Sequence, residues 1–542
     1  MKRFFVFFIA IFLVFQIEAQ NYDLPSSYPK LIVGITVNQL RYDALYKLWD
    51  QFDEQGFKKL INQGAYCRNA KFDYLLTQSA PGYATIVTGA QPSEHGIVAD
   101  LWYEPLDVKA VHAVQSRKYN PVGVKNRNNA CSPEQLMATT LSDELKLYFH
   151  NQSKVFSVSM DPTAAVLSGG FKADAAYWVD DETGKWVSSS YYMDELPKWV
   201  KTFNKNDYPS VYFDRTWNPM DSVYRFALPD TSSYEYGYDA EFKTFPYYYP
   251  EIYKKFVGKK FIKMIPEGNT MTTDFAVHTL MEENLGADLI TDVLNVNYFA
   301  TEHIGKNFGP DAIEMHDALL RLDKEIGHLV HVIEKQVGKS NVLFYLVGSS
   351  GVSNNPDYLR SEKLPAGKFR HHYVMALLKS YLNVLYGEGD WIKDYHNLQI
   401  YLNRPLIEDA DLSLAEIQDK VAQFVLSSNG VASVLTATNL QRTEYSSGMF
   451  RKMQNSFHQK RSGDVIIALK PGWIQDVSYS ADHNSAYSYD THVPLVFYGW
   501  KIRKTQIGTP VNPADIVPSI CNLMNIPHPS SVSGIPIDEI SR

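Results

Sequence analysis

The chain has 542 residues, 45% of them hydrophobic, 13% aromatic and 21% charged. That is a globular composition, and it excludes bulk disorder, collagen and coiled coil. The 52 basic and 60 acidic side chains leave a net charge of −8, which excludes nucleic-acid binding as a main task.

Lys2 and Arg3 precede an apolar run from Phe4 to Phe15, and Ala19 follows in Glu18-Ala19-Gln20. This predicts a secretory signal over residues 1–19, with a retained N-terminal anchor as the alternative. No later apolar run reaches about 18 residues, so the mature chain is expected to lack a membrane span and to be exported, to the periplasm or the cell surface. Residues 29–37 predict a strand buried on both faces, because Leu31-Ile32-Val33-Gly34-Ile35-Thr36-Val37 is almost continuously apolar. A helix is predicted over 42–63. Another helical pattern follows Ala80-Pro81-Gly82, and Ser132-Pro133-Glu134 has the form of a helix start. Strands are predicted at 154–160, 288–297, 341–347, 464–469 and 493–498, with a long helix at 313–337. Strands alternating with helices predict an α/β fold, a mostly parallel sheet covered on both faces. Cys67, Cys131 and Cys521 match no zinc spacing and are expected to be buried apolar side chains.

Two stretches interrupt the alternation and are expected to be insertions forming a cap, at about 187–265 and 355–460. The first carries Tyr234, Tyr236, Tyr238 and Tyr247-Tyr248-Tyr249. Those rings either form a binding surface for carbohydrate or protein, or pack over the core, and packing is the favoured reading. The domain expectation is a signal at 1–19 and one decorated domain over 20–542.

Several short motifs run in order along the chain: Val33 to Arg41 after the first strand; Pro81-Gly82, Thr88-Gly89, Pro92 and His95-Gly96-Ile97; Phe308-Gly309-Pro310; Leu319 to Asp323; Lys460 to Asp464; Tyr489 to Pro494; and Asp515 to Ser519. Each is weak alone. Together they resemble the alkaline phosphatase superfamily, closest to its exported bacterial PafA-like branch, with the nucleotide pyrophosphatase/phosphodiesterases as relatives. The resemblance implies an alkaline-phosphatase-like sheet and two zinc ions about 4 Å apart that clamp a phosphoryl transfer. It also implies three aspartates and three histidines as ligands and a threonine or serine nucleophile. The branch adds an asparagine, a lysine and an arginine around the phosphoryl oxygens.

Carried over position by position, the nucleophile falls on Ser79 and the phosphate-side asparagine on Asp100. The lysine and arginine fall on Pro162 and Ala164. The metal-ligand positions fall on Asn38, Glu302, Lys306, Ser349, Ser350 and His483. One histidine and one carboxylate remain among these six. Lys306 brings an ammonium, a donor with no lone pair at neutral pH, to a ligand position. No metal or other cofactor is therefore expected. His303, Asp482 and His492 stand nearby as other candidate ligands, while His371-His372 and Asp43 are assigned to surface and helix.

The expected function is an exported pseudo-phosphatase that acts by binding a protein, a glycan or a small molecule, as a monomer or in an envelope complex. The alternative is an active metal-dependent phosphatase or phosphodiesterase with a rearranged site, Ser79 as nucleophile and zinc as cofactor. The Lys306 ammonium is expected in or beside the former metal space, within reach of Glu302 or Asp100.

Overall fold

The computed structural model describes residues 27–104, 109–221, 234–239, 241–475 and 479–541; the expected signal at 1–19 lies outside them. Among the described residues, ten strands form one sheet. In chain order they are β1 (Leu31–Val37), β2 (Ala65–Lys71), β3 (Pro121–Val122), β4 (Val155–Ser159), β5 (Ala175–Val179), β6 (Trp186–Ser189), β7 (Asp292–Tyr298), β8 (Val342–Gly348), β13 (His492–Gly499) and β14 (Thr505–Ile507). Strands β9 to β12 belong to a second sheet described below. The spatial order is β14-β2-β13-β8-β1-β7-β4-β5-β6-β3.

The centre of the sheet is parallel: β1 pairs with β7 and β8, β7 with β4, and β4 with β5. Antiparallel pairs lie outside it, β8 with β13, β13 with β2, β5 with β6 and β6 with β3. Every residue of β1, β7 and β8 is buried, which is why β1 and β8 are apolar almost without alternation; β7 also buries Asp292, Asn295 and Asn297. The strand period of two divides β1 between two cores. Leu31, Val33, Ile35 and Val37 meet the cluster that includes Leu319, Leu322 and Ile326 of the long helix 313–337. Ile32 meets the opposite cluster, with Ile86, Ile516 and Ile520. Full burial contributes about 1.5–3 kcal/mol for each such side chain.

A four-stranded sheet lies beside the main one. It contains β9 (Ile392–His396), β10 (Gln399–Leu402), β11 (Val431–Thr436) and β12 (Val465–Leu469), in the order β9-β10-β12-β11. It has its own apolar core, including Leu378, Ile400, Val421 and Ile467.

Three sequence expectations change. Residues 42–63 do not form one helix. They divide into Tyr42–Lys47, a short turn of helix at Trp49–Gln51, and Phe57–Gln63. The break is made by Asp323, whose carboxylate accepts the backbone N–H groups of Asp53 and Phe57. Ser132-Pro133-Glu134 starts no helix. The Ser132 hydroxyl bonds Glu134 instead of capping, and the next helix begins at Leu141, capped by Thr140 and Asp143. The helix expected after Ala80-Pro81-Gly82 begins at Ser79 and takes those residues into its first turn. The aromatic stretch leaves the main sheet after Ser189, and the second sheet runs on into β12. Within the aromatic stretch, Tyr247 and Tyr249 are fully buried and donate to Glu314 and Glu267, whereas Tyr236 and Tyr248 are exposed. The three cysteines are buried free thiols. No helix among the described residues is long and apolar enough to cross a membrane.

Candidate active site

Parallel strands converge on one edge at their carboxyl ends, where an open α/β sheet places its ligand pocket. Asn38 directly follows β1, and its N–H bonds the carbonyl of Tyr298 at the end of β7. Ser349 directly follows β8 and bonds the carbonyl of Val37. Helix α1 (Ser79–Thr88) starts with Ser79, so this hydroxyl sits at the positive end of the helix dipole. Helix α2 (Pro162–Gly169) follows β4, and α3 (Ala300–Phe308), carrying Glu302 and Lys306 one turn apart, follows β7.

Glu302 is the hub. Its Oε1 takes Lys306 Nζ at 2.6 Å and His483 Nε2 at 2.9 Å. Its Oε2 takes Asn38 Nδ2 at 3.1 Å and the Ser79 hydroxyl at 3.4 Å. The other His483 nitrogen, Nδ1, lies 2.6 Å from the carbonyl of Thr77. Both ring nitrogens therefore face acceptors, and only the doubly protonated imidazolium satisfies both. Burial pulls His483 down, but Glu302 outweighs it and lifts the pKa to about 9. Burial likewise opposes the Lys306 charge, and Glu302 with Asp482 and Asp100 raises it above the ordinary lysine value. Burial pushes Glu302 up, yet His483 and Lys306 hold it well below the usual carboxylate range. The Lys306 side chain is 22% exposed.

Asn38 is fully engaged. Its Oδ1 accepts from Ser349 Oγ at 2.8 Å and from the Tyr83 hydroxyl, and its Nδ2 donates to Glu302 and Ser79. Ser350 stays apart: its hydroxyl is buried without a hydrogen-bond partner. Asp100 accepts the N–H of Ala80 at 2.7 Å and so occupies a free donor of the helix that Ser79 begins. Burial raises its pKa, against the pull of that N–H, Lys306 and His483. Pro162 and Ala164 lie in the first turn of α2, which Asp161 caps, and they offer no polar group. Of the other candidates, Asp482 accepts the backbone N–H of His483 at 3.0 Å, and the rest lie outside this cluster of bonds. His303 packs edge-on against Phe299, His492 stacks on Tyr42, His371 stacks on Tyr395, and Asp43 pairs with Arg41.

Sequence reasoning missed Tyr83, Thr77 and Gln78. Tyr83 is one helical turn after Ser79, so the i,i+4 spacing carried the signal for its place on the same face. Gln78 lies just before the nucleophile. Its Nε2 donates to Asn397 in the β9–β10 turn (2.8 Å), and its Oε1 accepts the N–H of Asp100 (2.9 Å). Asn397 in turn donates to the carbonyl of Leu101 at 2.6 Å.

These residues do not fit a two-zinc site. Zinc needs neutral imidazole nitrogens and free carboxylate oxygens. Here His483 donates from both nitrogens, Glu302 is saturated by four donors, and Lys306 offers no lone pair. No group of three or more His, Cys, Asp or Glu side chains among the described residues is placed to hold a metal ion.

A family model for type I phosphodiesterase / nucleotide pyrophosphatase matches residues 32–493. Alkaline phosphatase PafA of Elizabethkingia meningoseptica is 33% identical over 516 residues, covering 94% of each chain. Alkaline phosphatase PhoV of Synechococcus elongatus is 31% identical over 521 residues, covering 95% of this chain and 93% of its own. The crystal structure of wild-type PafA superposes with a TM-score of 0.91, over 95% of this chain and 99% of that one. Murine ectonucleotide pyrophosphatase / phosphodiesterase 5, at 12% identity and a TM-score of 0.51, shares the fold. The expectation of a pseudo-phosphatase acting by binding is corrected here. The chain aligns almost end to end with proteins named as alkaline phosphatases, and the expectation had weighed lost ligand positions above the retained whole.

Proposed function

Because the chain belongs to the type I phosphodiesterase / nucleotide pyrophosphatase family, we propose that it is a phosphoric ester hydrolase with a rearranged site, in which Ser79 is the nucleophile. The observation that carries this reading is the Ser79 hydroxyl. It lies at the first position of α1 and is aimed at Glu302 Oε2, in a pocket at the carboxyl ends of the sheet. In the reaction the Ser79 O–H gives its proton to Glu302, Oγ forms the bond to phosphorus, and the ester P–O bond breaks. The leaving alkoxide takes a proton from water, and the hydroxide so formed takes the proton back from Glu302. A second water then cleaves the Oγ–P bond and releases phosphate. Glu302 is a weak base, so turnover is expected to be slow. Lys306 and His483 supply positive charge to the pocket, and no step is routed through zinc. The signal-like residues 1–19 support export to the periplasm or cell surface as part of the same proposal.

The test is hydrolysis of an aryl phosphate and an aryl phosphodiester by the purified chain, with Ser79→Ala beside it. Turnover that falls at least about 100-fold in the variant supports the reading, since a lost nucleophile removes the covalent route. Equal rates in both proteins would exclude Ser79. No turnover of either ester by the wild type would overturn the proposal.

A further inference from the structure

A pocket that handles phosphate esters must hold a negative charge, and this one cannot recruit that charge's partner as a bound ion. The cation is already covalently present. Lys306 lies in the last turn of α3 and reaches the first-turn carboxylate that the family pattern assigns to a metal, at 2.6 Å. The same carboxylate oxygen carries His483 at 2.9 Å. Two cations thus share one anion, and the triad keeps one unit of positive charge in excess. Glu302 spends its charge on both, while the Lys306 ammonium has two further N–H donors beyond the one given to Glu302, on a side chain that is partly exposed. Its nitrogen also lies 5.7 Å from the centre of the Tyr479 ring, which supplies no counter-charge. Glu302 fixes where the ammonium sits, so the long lysine side chain does not have to be ordered when an anion arrives.

We infer that Lys306 is the anion-holding group of this site: a tethered ammonium, braced by Glu302 and backed by His483, that binds a phosphoryl anion without a metal ion. The inference rests on the hydrolase reading only for the identity of the anion. Asp100 opposes binding, because its carboxylate faces the same field and already takes the N–H of Ala80. Pro162 and Ala164 add no donor. Asp482 acts on the same ammonium, so little net positive charge meets the anion, which favours singly over doubly charged phosphates.

The experiment is calorimetric titration of the intact protein with inorganic phosphate and with dimethyl phosphate, in EDTA and then in added zinc, with elemental analysis of the purified chain. The expected results are far less than one zinc per chain, the same phosphate affinity in both buffers, and the diester bound at least as tightly as phosphate at pH 8. Lys306→Met is expected to weaken binding about tenfold or more, while Lys306→Arg stays within a few-fold of wild type. Circular dichroism and melting establish that each variant is folded, and if Lys306→Met is not, the arginine variant and the zinc content decide. Stoichiometric zinc, binding abolished by EDTA, no phosphate binding in either buffer, or a folded methionine variant that binds normally would each overturn the inference. Ser79→Ala keeps the two readings apart. Metal-free phosphate binding without any hydrolysis removes the hydrolase proposal and leaves this one standing. Hydrolysis that needs both Ser79 and bound zinc overturns this inference and leaves Ser79 as the nucleophile.

Discussion

Asp323 and Gly56 meet so closely that a Cβ on the glycine would lie 2.0 Å from a carboxylate oxygen of Asp323. That oxygen and its twin accept the N–H groups of Phe57 and Asp53, each at 2.6 Å. A single side chain from the middle of the long helix thus closes the loop that follows the first strand. Asp323→Ala leaves two shielded donors without a partner, each costing about 1–3 kcal/mol. Urea unfolding should show a loss of about 2–4 kcal/mol, and an unchanged midpoint would refute this account of the break in the helix.

The charge on His483 makes stability depend on pH. Its folded value, about 9, lies above the ordinary 6.5. Its contribution is therefore fully present below pH 6.5 and is lost as pH rises through 9. The melting temperature should fall across that interval. His483→Gln should flatten the decline, because glutamine does not titrate. Parallel profiles for the two proteins would mean that His483 is not the group responsible.

Asn38→Asp tests the hydrogen-bond polarity of the pocket. The amide nitrogen that donates to Glu302 at 3.1 Å becomes a carboxylate oxygen facing another carboxylate oxygen. Without a cation between them the pair repels, and the expected cost at pH 7 is about 2–4 kcal/mol. Acidification should recover part of this by protonating one carboxyl. Added zinc should recover none, because the Lys306 ammonium is still in place. Full rescue by zinc would contradict the description of the site.

Much of this architecture could be read from composition alone. The strands β1 and β8 show themselves as unbroken β-branched and apolar runs because both of their faces are covered. The helix 313–337 is marked by its apolar period and by a glycine just beyond its end. The meeting of Lys306 with Glu302 follows from four-residue spacing on one helix. Other features depend on partners distant in sequence. Asp323 acts on Phe57 across 266 residues. The engagement of both His483 nitrogens involves Thr77, 406 residues away. Position-by-position matching showed which ligands had changed, and those changes were weighed above the fold and the Ser79 position that the same motifs implied. That is why it tipped toward loss of activity.

Arg461 tests the contact between the second sheet and the turn at His95-Gly96. Its guanidinium donates to the carbonyls of Gly96 and Gln135, both at 2.6 Å, and lies over the Trp102 ring. Burial pulls its pKa down to about 10. Lysine cannot reproduce the fork or the stacking. Arg461→Lys should cost about 1–3 kcal/mol, read as a lower melting temperature. A neutral result would mean that the turn is held by its own backbone bonds and by His95.

The bond from Gln78 to Asn397 joins the position of the nucleophile to a hairpin some 300 residues away. Asn397 and Leu398 form the two-residue turn of that hairpin, both in the left-handed region that asparagine tolerates better than most residues. The smaller sheet is thus a built-in jig for the start of helix α1. Exchanging its hairpin for one of different turn chemistry would re-aim a serine that the hairpin never touches. A change in the turn, far along the chain, is then also a change in how Ser79 is presented.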